Sequence, residues 1–544
     1  MFDKELIHST KEAYLRFIAN WPNQFRYKGE NFKELFTING DFSLWWLTEM
    51  QKKDPECSPV FENLCRLEKG DKPKKSYYGF KNSLAYYFLS RVKFLIYMSL
   101  KILIFSIFIR NRNEKEYILF VSLYPNNLRS NNYGLVDRYY LNLPGQVENN
   151  LGIKTSYVSF YYKSVTKLLK EIRRLRYEKI IFYESYLSFA DIISAFSLSH
   201  LIKYIFLERK KGFKDSFNFK GKNVFDLFRD ELRISFIGSG IPEGVLLSKA
   251  IERIVKQCDA KAIISFLEMY PYSRALYYGA KKGCPAVKTV AYQHATITSN
   301  KLMYVYSPSE ISLDSIYIEG MPIPDYFIFQ GKLGRDILIR SGYPENRCFL
   351  TGSPRFDGLI GLKKEKIEIN LPINKKIVLV ATSFTENDTR EIIKIVFETA
   401  KRRDDCMFVF KAHHNCPVES MIKKYDFKNF IISDEDIHQL ILRSDVLVTS
   451  YSMSADEAIA LDCPSICIDT GVLIDMSSFF EIEAAPIVND PDGLNSALNM
   501  IFYQPEKLRS FKERWPELIE ASFYKVDGKA EERFIKMMKE VIIK

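Results

Sequence analysis

Val446 to Asp469 reads VLVTSYSMSADEAIALDCPSICID, and its texture changes three times along the way. An apolar run, Val446-Leu447-Val448, meets a crowd of hydroxyls at Thr449, Ser450, Ser452 and Ser454. MSADEAIALD then has helical spacing, and Pro464 introduces a second short apolar run, SICI. Strand, helix and strand in that order argue for a parallel sheet with helices on its faces.

The alternation continues outward. KIVLVATSF is a strand ending in a Thr-Ser loop at Ser383, TREIIKIVFETAKRRD a helix, CMFVFKAH a strand and IHQLILRS a short helix. Before the Lys-rich stretch LKKEKIEINLPINKK lies a second series. EYILFVSLY, KTSYVSFYY, KIIFYES, AKAIISFLE, VKTVAYQHA, DYFIFQG and RCFLTGSP read as strands, most of them with helical segments between. PNNLRSNNYG reads as a polar loop, followed by a helix over 137–150. The expected fold class is α/β, two Rossmann-like doubly wound domains facing a cleft, with a mostly helical N-terminal extension. The expected boundaries are 1–112 for the extension, 113–362 for the first domain, 363–520 for the second, and 521–544 for a C-terminal helix packing back towards the first.

A chain of 544 residues exceeds what one core serves, so several domains are expected. The net charge of +11 admits nucleic acid, an anionic membrane or anionic substrates. Dispersed Lys and Arg, with no RNP-type motif, zinc-finger spacing or basic helix, argue against nucleic acid. Nine cysteines without a C-x-x-C pair read as free thiols of a reducing compartment, and the N-terminus lacks the pattern of a signal peptide. A cytoplasmic location is expected.

Within the extension, FLIYMSLKILIFSIFI (Phe94–Ile109) is apolar except for Lys101 and two serines, too short for a spanning helix of about 20 residues. Extended to 84–109, with Lys74, Lys75, Lys81, Arg110 and Arg112 as basic flanks, it reads equally as a membrane-interface helix or a buried core helix. Trp45 and Trp46 cannot both face one side of a helix or strand, so either they pack in a core or one serves a second surface.

Four strand-end loops carry the polar chemistry. Glu268, after AIISF, reads as a general base raised by partial burial or, equally, as a cap for the helix near Pro271. Gln293 and His294, with Thr296, Thr298 and Ser299 behind them, suit a polar ligand. In FKAHHNCP, His413 and His414 point to opposite sides if the strand continues. Lys411, one of those histidines and Asn415 have the donors to hold a phosphate. Ser450, Ser452 and Ser454 stand where a strand meets a helix N-terminus, a ready anion site. Glu457 suits a ribose diol, or closes a capping box with Ser454. None of these loops has metal-ligand spacing.

KAHHNCP resembles the His-x-Asn-Pro loop of non-hydrolysing UDP-N-acetylglucosamine 2-epimerases and the His-Pro loop of bacterial sialyl- and glycerophosphotransferases. TSYSMSADEAIALDCPSICID is similar to the donor-binding helix of GT-B glycosyltransferases, AYQHA to the Gln-His-Gly of capsule enzymes, and LTGSPRFDGL to their Gly-Ser-x-Arg-x-Asp segment. With FSLWWLTEM and DGKAEERF, the whole resembles bacterial surface carbohydrate biosynthesis proteins of the capsule and O-antigen type. His414 stands where relatives carry Pro or a neutral residue, and Ala295 replaces Gly. The epimerases' His-Glu-Ala-Gly loop is missing, and their chain has no counterpart to residues 1–112, which favours transfer over epimerisation.

The resemblance implies a metal-independent, cofactor-free glycosyltransferase at the inner face of the membrane, taking a UDP- or CMP-linked sugar to a glycan or lipid-linked acceptor. Ser383, Lys411, Asn415, Thr449, Ser450, Ser452, Ser454 and Glu457 would bind the donor, and His413 would steady the departing phosphate. Glu268 and His294 would act on the acceptor, with Gln293 and Arg355 holding it. Three alternatives stand beside it: a CDP-glycerol or CDP-ribitol phosphotransferase with His294 as base, a nucleotide-sugar epimerase, and a non-catalytic partner in the same pathway.

Overall fold

The computed structural model describes residues 3–542 except 75–82, 110–116, 132–133, 315, 360, 363–370, 426–427 and 473. The expected boundaries at 112 and 362, most of the Lys-rich stretch, and Lys75, Lys81, Arg110 and Arg112 lie in or beside the segments outside the described residues.

The extension opens with helix α1 (Lys4–Gln24) and ends with helix α2 (Leu84–Phe108). Between them a 3-10 turn, Leu44–Leu47, carries both tryptophans. Trp45 and Trp46 are completely buried. Trp45 packs on Trp21 and Phe32, and the Trp46 indole donates to the Tyr317 carbonyl at 2.9 Å. The turn is enclosed on all sides, so adjacent rings both find interior surroundings.

Seven strands form the first sheet: β1 (Tyr117–Tyr124), β2 (Lys154–Tyr161), β3 (Ile180–Phe182), β4 (Ala262–Phe266), β5 (Lys288–Tyr292), β6 (Tyr326–Phe329) and β7 (Cys348–Leu350). All pairings are parallel, in the order 7-6-5-4-1-2-3. Near-continuous apolar runs such as Ile118-Leu119-Phe120 suit strands covered on both faces, and all three residues are fully buried. The second sheet comprises β8 (Lys376–Ala381), β9 (Cys406–Lys411), β10 (Phe430–Ile432), β11 (Val446–Thr449), β12 (Ser465–Ile468) and β13 (Ile487–Val488), parallel in the order 10-9-8-11-12-13. Each sheet thus reverses its strand order beside its first strand, where open α/β sheets take ligands. Two Rossmann-like sheets flanking a cleft, preceded by a helical extension, are the GT-B architecture.

Two differences from the sequence expectation bear on the site. PNNLRSNNYG is no open loop: Leu128–Asn131 pairs antiparallel with Gly134–Asp137 as a hairpin on the end of β1, and the helix begins only at Leu143. Between β3 and β4 the chain inserts helices, among them Phe189–Ala195, Leu198–Glu208 and Gly240–Gln257, whose apolar sides join the aromatic core of the extension. Helix α3 (Pro271–Gly283) follows β4, α4 (Glu386–Ala400) follows β8, and α5 (Ser454–Ala460) follows β11. Near the end of the chain, Trp515 and Leu518 of helix α6 (Trp515–Phe523) join a core of the second sheet. Phe534 and Met538 of helix α7 (Ala530–Ile542) lie in the core of the first.

Candidate active site

The loops leaving β4 and β5 build one wall. Glu268 turns its carboxylate to His294, with Oε1 at 3.2 Å from Nε2. It does not cap α3 through its side chain, since the position preceding that helix makes no side-chain cap. The Nδ1 nitrogen of His294 is buried and has no hydrogen-bond partner. The rings of Tyr139 and Phe266, each centred 4.8 Å from the imidazole, hold it in place. A base oriented by a carboxylate is a general acid–base arrangement.

Gln293 does not face the cleft. It is buried, its amide donating to the Ala295 carbonyl at 2.9 Å and accepting from the Gln330 backbone at 3.1 Å. Thr298 and Ser299 are likewise spent on the fold: Thr298 donates to the Met476 carbonyl at 3.2 Å, and the Ser299 hydroxyl accepts from Lys11 at 3.2 Å. The Thr296 hydroxyl is buried without a partner.

Across the cleft, the strand ends at Lys411 and turns at once, with Cys416 N–H donating to the His413 carbonyl at 2.8 Å. His413 and His414 therefore lie side by side, rings 4.2 Å apart, instead of on opposite faces. The Asn415 backbone donates to His413 Nδ1 at 3.2 Å, which leaves the outer nitrogen, Nε2, to carry the proton. Burial, with His414 and Arg138 adding to it, lowers His413 to about 4, and His414 is lowered too. At neutral pH both are uncharged, so His413 offers an N–H and not a positive charge. His414 and Asn415 stand exposed at the tip.

The hydroxyls of the second sheet divide by depth. Thr449 is wholly buried, its hydroxyl unpartnered. Ser450 donates to the buried Asp388 of α4 at 2.8 Å. Ser383 accepts weakly from the Thr385 backbone at 3.4 Å and lies 3.5 Å from the Tyr451 hydroxyl. Ser452 and Ser454 are more open and bond each other at 2.9 Å. Ser454 makes no capping box with Glu457, whose carboxylate has other partners.

Those partners bridge the cleft. Glu457, almost fully buried on α5, takes His438 Nε2 at 2.9 Å on one oxygen and Arg355 at 3.1 Å on the other. Arg355 comes from the loop after β7 of the first sheet, 102 residues away in sequence. Burial alone would lower His438, but the hydrogen bond and charge of Glu457 outweigh it and raise the imidazole. The expected acceptor contact of Arg355 and ribose contact of Glu457 are thus, in this structure, a bond between the two halves. Arg355 also lies over the ring of Tyr139 at 5.7 Å, and Arg138 lies over the same ring at 5.0 Å. Sequence reasoning missed Tyr139, Arg138, Asp388 and His438. Only the hairpin signal, Asn-Asn-Tyr-Gly between two short runs, was there to point at the first two. Among the described residues, no three His, Cys, Asp or Glu side chains form a metal-holding group.

Residues 323–467 match the sequence family described as CDP-glycerol:poly(glycerophosphate) glycerophosphotransferase. The teichoic acid poly(ribitol-phosphate) polymerase of Bacillus spizizenii is 27% identical over 210 residues, which cover 34% of this chain and 32% of that protein. The chain therefore spans about a third of the length of the curated relative it matches. Among solved structures, a UDP-N-acetylglucosamine 2-epimerase of Listeria monocytogenes superposes with a TM-score of 0.47 at 12% identity, over 78% of this chain and 96% of that one. The wall teichoic acid polymerase TagF superposes with a TM-score of 0.42 at 14% identity, over 86% and 99%. The stretch that is similar to the glycerophosphotransferase family holds Arg355, His413, His438 and Glu457, whereas Glu268 and His294 lie upstream of it.

Proposed function

We propose that the protein is a phosphotransferase that moves an alditol phosphate from a CDP-alditol, CDP-glycerol or CDP-ribitol, to a hydroxyl of a growing surface polymer. The observation that carries this reading is that the 323–467 match, which runs from β6 of the first sheet into β12 of the second and so spans both halves, borders the cleft that holds the Glu268–His294 pair. An acceptor oxygen attacks the alditol-bearing phosphorus and a new P–O ester bond forms. The P–O bond to the bridging oxygen breaks, and CMP leaves with its electron pair. The hydroxyl proton passes to the Glu268–His294 pair, whose carboxylate steadies the imidazolium when the histidine takes it. His413 meets the leaving phosphate as a neutral N–H donor beside Lys411, Ser452 and Ser454.

Glycosyl transfer rests on the two-sheet fold alone, whereas phosphotransfer has the family match in addition. We also propose that the enzyme works at the cytoplasmic face of a membrane, held there by the exposed apolar side of α2. The test is to incubate purified protein with CDP-glycerol, CDP-ribitol and UDP-N-acetylglucosamine and identify the nucleotide set free. CMP release, reduced about a thousandfold in His294→Gln, is expected. UDP release without CMP would sink the reading.

A further inference from the structure

The hairpin on the end of β1 stands where the strand order of the first sheet reverses, beside the loop of Glu268 on β4. The hairpin carries two arginines. Arg129 and Arg138 are exposed, and among the described residues neither has a carboxylate at ion-pair distance. Asp137, next in sequence to Arg138, is no counter-charge. It is completely buried and engaged with the Ser122 hydroxyl and with the backbone N–H groups of Tyr139 and Tyr140, at 2.8 and 3.0 Å. Arg138 lies over the ring of Tyr139 at 5.0 Å, and that ring touches the His294 imidazole, so the guanidinium is fixed beside the reacting pair.

From the opposite wall the paired rings of His413 and His414 come within electrostatic reach. Arg138 acts on both imidazoles and Arg129 on His414, each disfavouring the imidazolium. Arg138 shares the Tyr139 ring with Arg355, which bonds Glu457 of the second half, so the hairpin lines the same cleft as the second-half loops. A cluster of cations without an anion of its own, around rings that donate without carrying charge, is arranged to receive an anion from outside.

We infer that Arg129 and Arg138, reaching over from the first half, seat the second phosphate of a nucleoside diphosphate ester whose first phosphate meets the His413 loop. The inference rests on the phosphotransfer reading and adds the charge that the neutral His413 cannot supply. It assigns the two arginines the preference for a diphosphate over a monophosphate. As substrate phosphorus becomes more negatively surrounded in the transition state, a fixed guanidinium there also favours transfer.

The experiment is calorimetric titration of the full chain with CMP, CDP and UDP, for the wild type and for Arg129→Gln, Arg138→Gln and the double variant. Since both arginines are exposed, unchanged far-UV circular dichroism and melting are expected of the variants. The wild type is expected to bind CDP more tightly than CMP. In the double variant that advantage falls by about tenfold or more, the scale of a lost charge-assisted hydrogen bond, while CMP affinity stays within about twofold. Equal loss for CMP and CDP, or no loss for either, would overturn the inference and leave the phosphotransfer reading standing. If UDP binds, CDP does not, and the arginine variants lose UDP, the arginines keep their role and the cytidine reading falls. A wild type that binds no nucleoside diphosphate overturns both.

Discussion

His438 shares the buried carboxylate of Glu457 with Arg355, whose bond to it crosses the cleft, and the His438 proton is part of that arrangement. Because Glu457 raises it above the ordinary histidine value of about 6.5, the folded chain holds the proton more tightly than the unfolded chain does. The resulting stabilisation is full below about pH 6.5 and is lost as pH rises through the folded value. The difference in melting temperature between wild type and His438→Gln is therefore expected to be larger at pH 6 than at pH 8.5. A difference that stays constant across that range refutes the assignment. Residues at this scale were legible in the sequence when an unusual type ended an apolar run, as with Glu268, His294 and His413. His438 carried no such mark, because its partner Glu457 is 19 residues on and reaches it only through β11 and the turn into α5. Arg355 was legible as a site residue, but its ion pair with the other half depends on tertiary docking that no local pattern encodes.

Helix α2 shows how an element can obey two demands. One face is interior: Tyr87, Met98, Ile102 and Phe105 pack in the core, Arg91 donates to the carbonyls of Gly238 and Ser197 at 3.1 and 3.2 Å, and Lys101 meets Glu184 and the Tyr161 carbonyl. The other face leaves Leu89, Ile96, Leu100, Leu103 and Ile107 exposed at helical spacing, Ile107 by 64%. Phe189, Ile193, Leu198, Ile202 and Phe206 of the helices inserted after β3 are exposed as well, and Phe189–Ala195 contacts α2. Two of the charges that interrupt the apolar run, Arg91 and Lys101, thus belong to the buried side, the reverse of ordinary amphipathic patterning. Lys93 and the helix Val165–Leu175, with Lys167, Lys170, Arg173 and Arg174, add the basic groups that anionic headgroups attract. The triple variant Leu89→Gln, Ile96→Gln, Leu103→Gln is expected to lose at least tenfold in sedimentation with phosphatidylglycerol vesicles while keeping its circular dichroism, at about 25 cal/mol per Å² of apolar surface withdrawn from lipid. Vesicle binding that survives the substitutions would show that this face has another use. The strands were plain from their unbroken apolar runs, since parallel strands buried on both faces need them. The hairpin was harder, because its strands are short and polar and its pairing depends on its own turn.

At the scale of the whole chain the extension is no appendage. Its tryptophans share one core with Ile263 of β4 and Phe327 of β6, and Ile474 of the second half reaches the same core. From α1, Lys11 bonds the Ser299 carbonyl and hydroxyl and the Asn300 amide oxygen, at 3.3, 3.2 and 3.4 Å, in the loop that follows His294. That loop in turn grips the second half, Asn300 donating to the Asp475 carbonyl at 2.8 Å and Ser299 N–H to Glu481 at 2.6 Å. Lys4 adds an ion pair to Glu483 at 3.6 Å, exposed and of little weight. Extension, first-sheet loop and second-sheet segment are thus fastened at one point, close in sequence to the proposed base. Asn300 is fully buried, so Asn300→Ala removes its bonds to the Asp475 carbonyl and from Lys11 and leaves that carbonyl without the donor, while Lys11 keeps Ser299, a loss of about 1–3 kcal/mol. If the three parts move as one unit, hydrogen exchange should quicken together in 298–301 and 475–481. CMP release should slow through kcat/KM, as the His294 loop loses its brace. Faster exchange in one segment alone would mean that the two halves are held in register by α6, α7 and the Arg355–Glu457 bond, and that the extension serves the first half only.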